Sequence, residues 1–323
     1  MTHRKAVLLM IAVTLMWSIA GIVTRQLEAA RSFEVTFWRS AFNALTLVLL
    51  LSLLRGPAGL WRALRGGGRA LWISAACWCV MFTAFMVAVT LTDVANVLVT
   101  MALAPLFTAL ASRFVLGHRL PTRTWVAIGV AGLGIAWMYG QQVAGGETRH
   151  LLGTAVALAV PLAAAANWTL LQHLKGHPNG RPNGRPNGRA DMLPAVLLGA
   201  LLSAALTLPL ALPFAASAHD LGLLALLGSV QLAIPCLLAV IVARVLPAPE
   251  ISLLASLEVL FGVAWAWLGA GEQPTPAVIG GGLLVLGALA GNELIALRLD
   301  RRMSHGLGHG LGNSTGERET RTP

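Results

Sequence analysis

The residue with the most chemical consequence is Glu258, a lone carboxyl about ten residues into the apolar run that starts at Pro249. A charge near the centre of the hydrocarbon costs roughly 2.5 to 3.5 kcal/mol on insertion scales, so such a residue is expected to face a bundle interior or a wet cavity. Glu258 can then act as a proton site or hold a substrate amine; the plainer alternative is a protonated carboxyl bonded to a neighbouring helix. Arg39, inside another apolar segment, is its counterpart in sign. Its long stem allows it to snorkel to the outer interface or pair with Glu34. Alternatively it faces a cavity and attracts an anionic or carboxylate-bearing substrate. Trp17, Trp78, Asn167, Trp168 and Gln231 are further candidates to line that cavity. Against this stand aromatic packing for Trp78 and interhelical contacts for the others, where a hydrogen bond is worth about 0.6 to 2 kcal/mol.

Three prolines lie deep in apolar segments: Pro105, Pro161 and Pro235. Each removes one backbone donor, so Pro105 frees the carbonyl of Met101 and Pro235 that of Gln231. Inside a membrane such a break is tolerated where it lines a cavity or where a neighbouring helix compensates. No HExxH pattern, phosphate-binding loop, helically spaced carboxylate pair or Ser/His/Asp set appears, so no catalytic residues and no cofactor are expected. Cys77 and Cys79 point about 200° apart on a helix and cannot share a metal. A membrane enzyme or a non-transporting scaffold or sensor remains the competing class.

The elements that carry these residues follow from composition. With 323 residues, 56% of them hydrophobic and 11% charged, the chain is too continuously apolar for a water-soluble domain, and the lipid bilayer is its expected surrounding. About 20 residues of helix cross roughly 30 Å of hydrocarbon. Ten such segments are predicted, at about 6–26, 33–54, 70–91, 94–116, 122–140, 152–174, 192–214, 220–243, 249–269 and 275–297. The net charge of +10 is compatible with nucleic acid, but the placement of the charges argues against it. With the N-terminus inside, nineteen of the 23 Lys and Arg residues fall in or beside cytoplasmic loops, which places both termini in the cytoplasm. Among them, Arg55 to Arg69 read as a flexible loop that holds topology.

A shift of 154 positions lays the Pro249 stretch over an earlier one: Glu258 falls on Ala104, Val259 on Pro105, Phe261 on Phe107 and Gly271 on Gly117. Duplication at about half the chain length is the mark of transporters whose binding site lies between repeats. Five helices per copy is an odd number, so the copies are expected to be inverted. The expected organisation is a first repeat over 1–140, an outer loop and the second repeat's first helix over 141–174, a Pro-Asn-Gly-Arg linker over 175–191, the remaining four helices over 192–297 and a polar tail over 298–323. The fold class is thus all-α integral membrane, with ten helices in two inverted five-helix repeats. Glycines such as Gly129, Gly132, Gly134, Gly281 and Gly282 mark the fifth and tenth helices as packing helices.

Trp17, Arg39, the turns Leu116-Gly117-His118 and Ala270-Gly271-Glu272, and the run from Leu253 to Pro274 together resemble the EamA-type family of the drug/metabolite transporter superfamily. His118 departs from that pattern, which usually has Glu there. The resemblance covers about 6–297. It implies a multi-pass carrier of the bacterial inner membrane, often an exporter of amino acids or related small-molecule substrates, with a central cavity between the repeats. Without a nucleotide-binding motif, an ion gradient or the substrate's own gradient would drive it, with protons as the candidate ion.

Overall fold

A backbone surrounded by hydrocarbon has no water to bond, so its polar groups must be satisfied within the chain, and helix does this locally. The computed structural model describes residues 1–30, 32–116, 122–144, 148–176, 191–269, 275–288, 290–292 and 295, and every regular element among them is helical. His118, Glu272, the linker from 177 to 190 and the tail lie outside the described residues.

Among the described residues, eight stretches are long and apolar enough to span a membrane: His3–Thr24, Phe33–Arg55, Arg69–Leu91, Val94–Val115, Thr148–Leu174, Leu193–Ala211, Ala218–Val242 and Glu250–Gly269. The fifth and tenth expected spans coincide with shorter apolar stretches, Trp125–Gly134 and Pro276–Asn292.

Several spans are interrupted. The first is α1 (His3–Ser18) followed by α2 (Ala20–Thr24); the second is the continuous α3 (Ser32–Arg55). The short α4 (Pro57–Arg65) leads to α5 (Arg69–Leu91). The next span divides into α6 (Val94–Met101) and α7 (Ala104–Leu116), and α8 (Thr122–Ala144) follows. The second half begins with α9 (Thr148–Ala157) and α10 (Ala159–Gly176), then α11 (Leu193–Ala211). α12 (Ala218–Leu226) passes through a π-helical stretch, Leu227–Ala233, into α13 (Ile234–Val242). α14 (Ala248–Ala255) and α15 (Leu257–Gly269) form another divided span.

Pro105, Pro161 and Pro235 each stand two or three residues beyond an interruption, as a missing donor dictates. Two further breaks, at Ile19 and Ser256, have no proline behind them. The break at Ser256 sits where the 154-residue shift puts the one after Met101, and the flanking helices match in length: eight then thirteen residues in both cases. The two divided spans cross with α6 against α15 and α7 against α14, so they run in opposite directions. Thr108 and Ser252 join hydroxyls at 2.8 Å in that crossing, both buried. The other packing is reciprocal in the same sense: α3 lies against α11, α3 also meets the π-helical stretch, and α5 meets α11.

Buried carboxylates lace one end of the bundle. Glu34, at the start of α3, accepts hydrogen bonds from the Ala215 and Ala216 amides at 2.8 to 3.0 Å. Asp220 accepts from the amides of Glu28, Ala29 and Ala30 at 2.9 to 3.0 Å and completes a capping box with Ser217. At the opposite end Arg55 binds Asp191 with both terminal guanidinium nitrogens, and Arg244 lies 3.6 Å from the same carboxylate. The expected flexible loop from Arg55 to Arg69 is instead mostly helix, because Pro57 at its first turn and Leu60 in the core fix α4.

Close approach is confined to particular glycines. At Gly134 an added Cβ would lie 2.8 Å from the Gly281 carbonyl, which sets α8 against Pro276–Asn292, whereas Gly129 and Gly132 face open space. Backbone meets backbone closely at Gly228 as well, where a Cβ would meet the Arg39 carbonyl at 2.5 Å and the Asn43 amide nitrogen at 2.8 Å. Gly228→Ala is expected to lower stability by about 1 to 3 kcal/mol by forcing α3 from the π-helical stretch. Gly132→Ala should be neutral or slightly stabilising. Thermal unfolding of the purified protein in detergent separates the two; equal melting temperatures for both variants would refute the packing.

Candidate functional site

The interruptions converge on a cavity of about 100 Å³. Its walls come from both halves of the chain: Trp17, Arg39, Trp78, Phe82, Phe85 and Met101 from the first, and Pro161, Trp168, Gln231, Cys236, Ser256 and Glu258 among others from the second. Six of the seven side chains singled out in the sequence thus face one space. The seventh, Asn167, is fully buried beside it and accepts a 2.6 Å hydrogen bond from the Ser74 hydroxyl on α5, so it joins helices rather than lining the cavity. Of the three prolines only Pro161 lines the space; Pro105 and Pro235 are buried behind it, beside the lining residues Ala104 and Cys236.

Arg39 is 3% exposed and donates from Nη2 to Gln231 Oε1 at 2.8 Å. Gln231 Nε2 in turn donates to the Trp17 carbonyl at 2.9 Å. That carbonyl lies at the break in the first helix and also accepts the amide of the capping residue Ile19, so Gln231 takes its second acceptor direction. Gln231 reaches both partners from the π-helical stretch, a distortion common at functional sites because it widens a turn and re-aims side chains. The guanidinium also lies 5.5 Å from the centre of the Phe85 ring, a cation–π contact that partly replaces the water it has lost. The expected alternative partner, Glu34, is occupied by the amides of Ala215 and Ala216 instead. Arg39 Nε is buried without a hydrogen-bond partner, so one donor direction stays unused.

Glu258 lies in the first turn of α15, just past the break at Ser256, and is 8% exposed. It senses the charge of Arg39, yet among the described residues the two form no ion pair within 4.0 Å, and no hydrogen bond reaches the Glu258 carboxyl. A cation and a carboxyl therefore share one enclosure without neutralising each other directly. The first turn of a helix also favours a carboxylate, through the positive end of the helix dipole.

Part of the cavity wall is aromatic. Trp78 meets Trp168 edge to face at 5.8 Å, with their planes at 89°, and Phe82 lies 5.5 Å from Trp78. This pair spans the two halves, since Trp78 is on α5 and Trp168 on α10. The arrangement can hold a small amphipathic molecule: apolar body against the rings, polar ends toward Arg39 and Glu258. Sequence reasoning did not find Phe85, Ser252 or Ser256; for Ser256 a signal existed, since the 154-residue shift maps it onto the break after Met101.

Eight apolar spans and a charged, enclosed interior define a multi-pass membrane protein. Residues 4–140 match the model of the EamA-like transporter family. Its members are generally transporters rather than enzymes. A comparison with curated proteins gives no match. Among solved structures, one titled "Crystal structure of protein" superimposes with a TM-score of 0.61 at 17% identity, over 91% of this chain and 99% of the other; at that identity the likeness concerns the fold alone.

Replacing Gln231 by Leu leaves the Arg39 guanidinium and the Trp17 carbonyl without their shared partner. The expected loss is about 1 to 3 kcal/mol, the usual cost of an unsatisfied buried polar group. It should be read as a lower melting temperature in detergent. An unchanged melting temperature would mean that the Arg39–Gln231–Trp17 chain does not hold these helices together.

Proposed function

We propose that the protein is a secondary carrier that exports a small amphipathic metabolite, such as an amino acid or a related compound, by alternating access around the cavity. Two inverted five-helix repeats rock against one another, with the short stretches Trp125–Gly134 and Pro276–Asn292 as the fifth and tenth helices. The antiparallel crossing of two equally divided spans supports that symmetry, because inverted copies must place equivalent helices in opposite directions. The proposed setting is the bacterial inner membrane, with both termini in the cytoplasm, following the placement of Lys and Arg.

The observation that carries this reading is a single cavity walled by both halves, with Arg39 from one and Glu258 from the other. In a repeat-built carrier the substrate site lies at such a junction, and small relative motion of the halves opens it to one side or the other. Arg39 attracts the anionic end of the substrate, and Glu258 takes its amine or exchanges a proton for it as access alternates. The substrate's polar ends would thus be recognised by groups that move relative to each other. The partners are then the bilayer, a small-molecule substrate and protons.

The decisive experiment is Glu258→Gln in everted vesicles under an imposed proton gradient. Its amide keeps the size and polarity of the carboxyl but cannot carry a charge. Gradient-driven uptake of amino acids or their analogues should fall to the background of empty vesicles, at normal protein abundance and melting temperature. Uptake equal to that of the unmodified protein would remove Glu258 from the mechanism.

A further inference from the structure

We infer that α4 and the arginines around it form a binding face for the headgroups of anionic phospholipids. The inference is independent of the carrier reading and rests on a different part of the molecule. α4 joins the spans Phe33–Arg55 and Arg69–Leu91, so its two ends are fixed at the same face of the membrane. Gly56 makes the corner between α3 and α4 with φ 72°, a left-handed conformation that side-chain-bearing residues rarely adopt. The helix is thereby turned out of line with α3 while remaining at the end of the span.

Its faces are unequal. Leu60 is 6% exposed and packs into the core, with Leu64 partly buried beside it. Trp61 follows on the flank and is 55% exposed, and the arginines come next around the helix. Leu53, Leu54, Trp72 and Ile73, on the adjoining ends of α3 and α5, are at least half exposed as well. In a membrane protein such a band belongs to lipid. A Trp at its edge is the usual marker of the interface. An amphipathic helix of this kind lies in the plane of the headgroups with its apolar side down.

The charge is not balanced by the protein. From Gly56 to Thr92 the sequence has no Asp or Glu. Arg55 is taken by Asp191, but among the described residues Arg62, Arg65 and Arg69 form no ion pair. Arg65 lies 4.4 Å over the Trp61 ring, which holds its guanidinium at the depth of the indole. A guanidinium offers paired donors that match the two free oxygens of a phosphodiester. Clusters of basic residues beside a span are recognised by anionic lipid through this chemistry. Zwitterionic lipid carries the same phosphate but offsets its charge, so the face should discriminate between the two.

The test uses the full-length protein, delipidated in detergent and titrated with phosphatidylglycerol or phosphatidylcholine, with bound lipid counted by native mass spectrometry. The unmodified protein should prefer phosphatidylglycerol, and the triple variant Arg62→Gln, Arg65→Gln, Arg69→Gln should lose at least about tenfold of that preference. An unchanged preference in the folded triple variant would overturn the proposal. If that variant does not fold, the unmodified protein decides the matter: raising salt from about 50 to about 500 mM shortens the screening length and should erase most of the preference. A salt-independent preference would refute headgroup charge as its basis. Inorganic phosphate at low millimolar concentration should not displace the lipid; displacement would make this a general anion site rather than a lipid-binding face.

Discussion

A buried guanidinium in a membrane must find hydrogen-bond partners inside the protein, and the interior of this molecule is arranged around that need. Arg39 donates from Nη2 to Gln231, and Gln231 donates to the Trp17 carbonyl at the break in the first helix. The chain therefore ties α1, α3 and the π-helical stretch to one another. Removing any one member leaves a polar group stranded in a low-dielectric interior, where an unmet hydrogen bond is costly.

The same reasoning extends to the opposite wall. Glu258 sits at the start of α15, where the interrupted helix opens its first turn toward the cavity. Breaks at this depth place helix ends beside the enclosed space rather than against lipid, as the absence of water in hydrocarbon requires. At the ends of the bundle, Asp220 and Glu34 on one side and Asp191 on the other bind distant segments together. Relative motion near the cavity is then constrained at both faces by carboxylates that are already fully engaged.

Much of this was legible in the sequence, and the reasons for the rest are physical. Spans are readable because hydrocarbon demands length and apolarity, so observed and expected boundaries differ by only a few residues in most cases. Arg39, Glu258 and Gln231 stood out because polar groups are expensive at that depth. The orientation of Asn167 was not readable: it adjoins Trp168, but a step of about 100° around the helix turns it toward Ser74. Prolines announced three interruptions, while those at Ile19 and Ser256 have no proline just beyond them to announce them. The partners of Asp220 lie about 190 positions away, so its role as a clasp could not be inferred from its neighbours. α4 was missed because the arginine-rich, glycine-flanked stretch suggests a loop, and its helical state depends on Leu60 reaching the core.

The most direct test of the central claim, that Arg39 and Glu258 face one solvated cavity, is thiol accessibility at Ser256, which lines it beside Glu258. With Cys77, Cys79 and Cys236 replaced by Ser, Ser256→Cys would be treated with a small membrane-impermeant thiol reagent from each face in turn, and Ala58→Cys on exposed α4 would serve as control. The expected result is modification of the position-256 thiol from at least one face, slowed by a transported substrate. A thiol refractory from both faces, with the position-58 control fully labelled, would contradict a cavity that communicates with water.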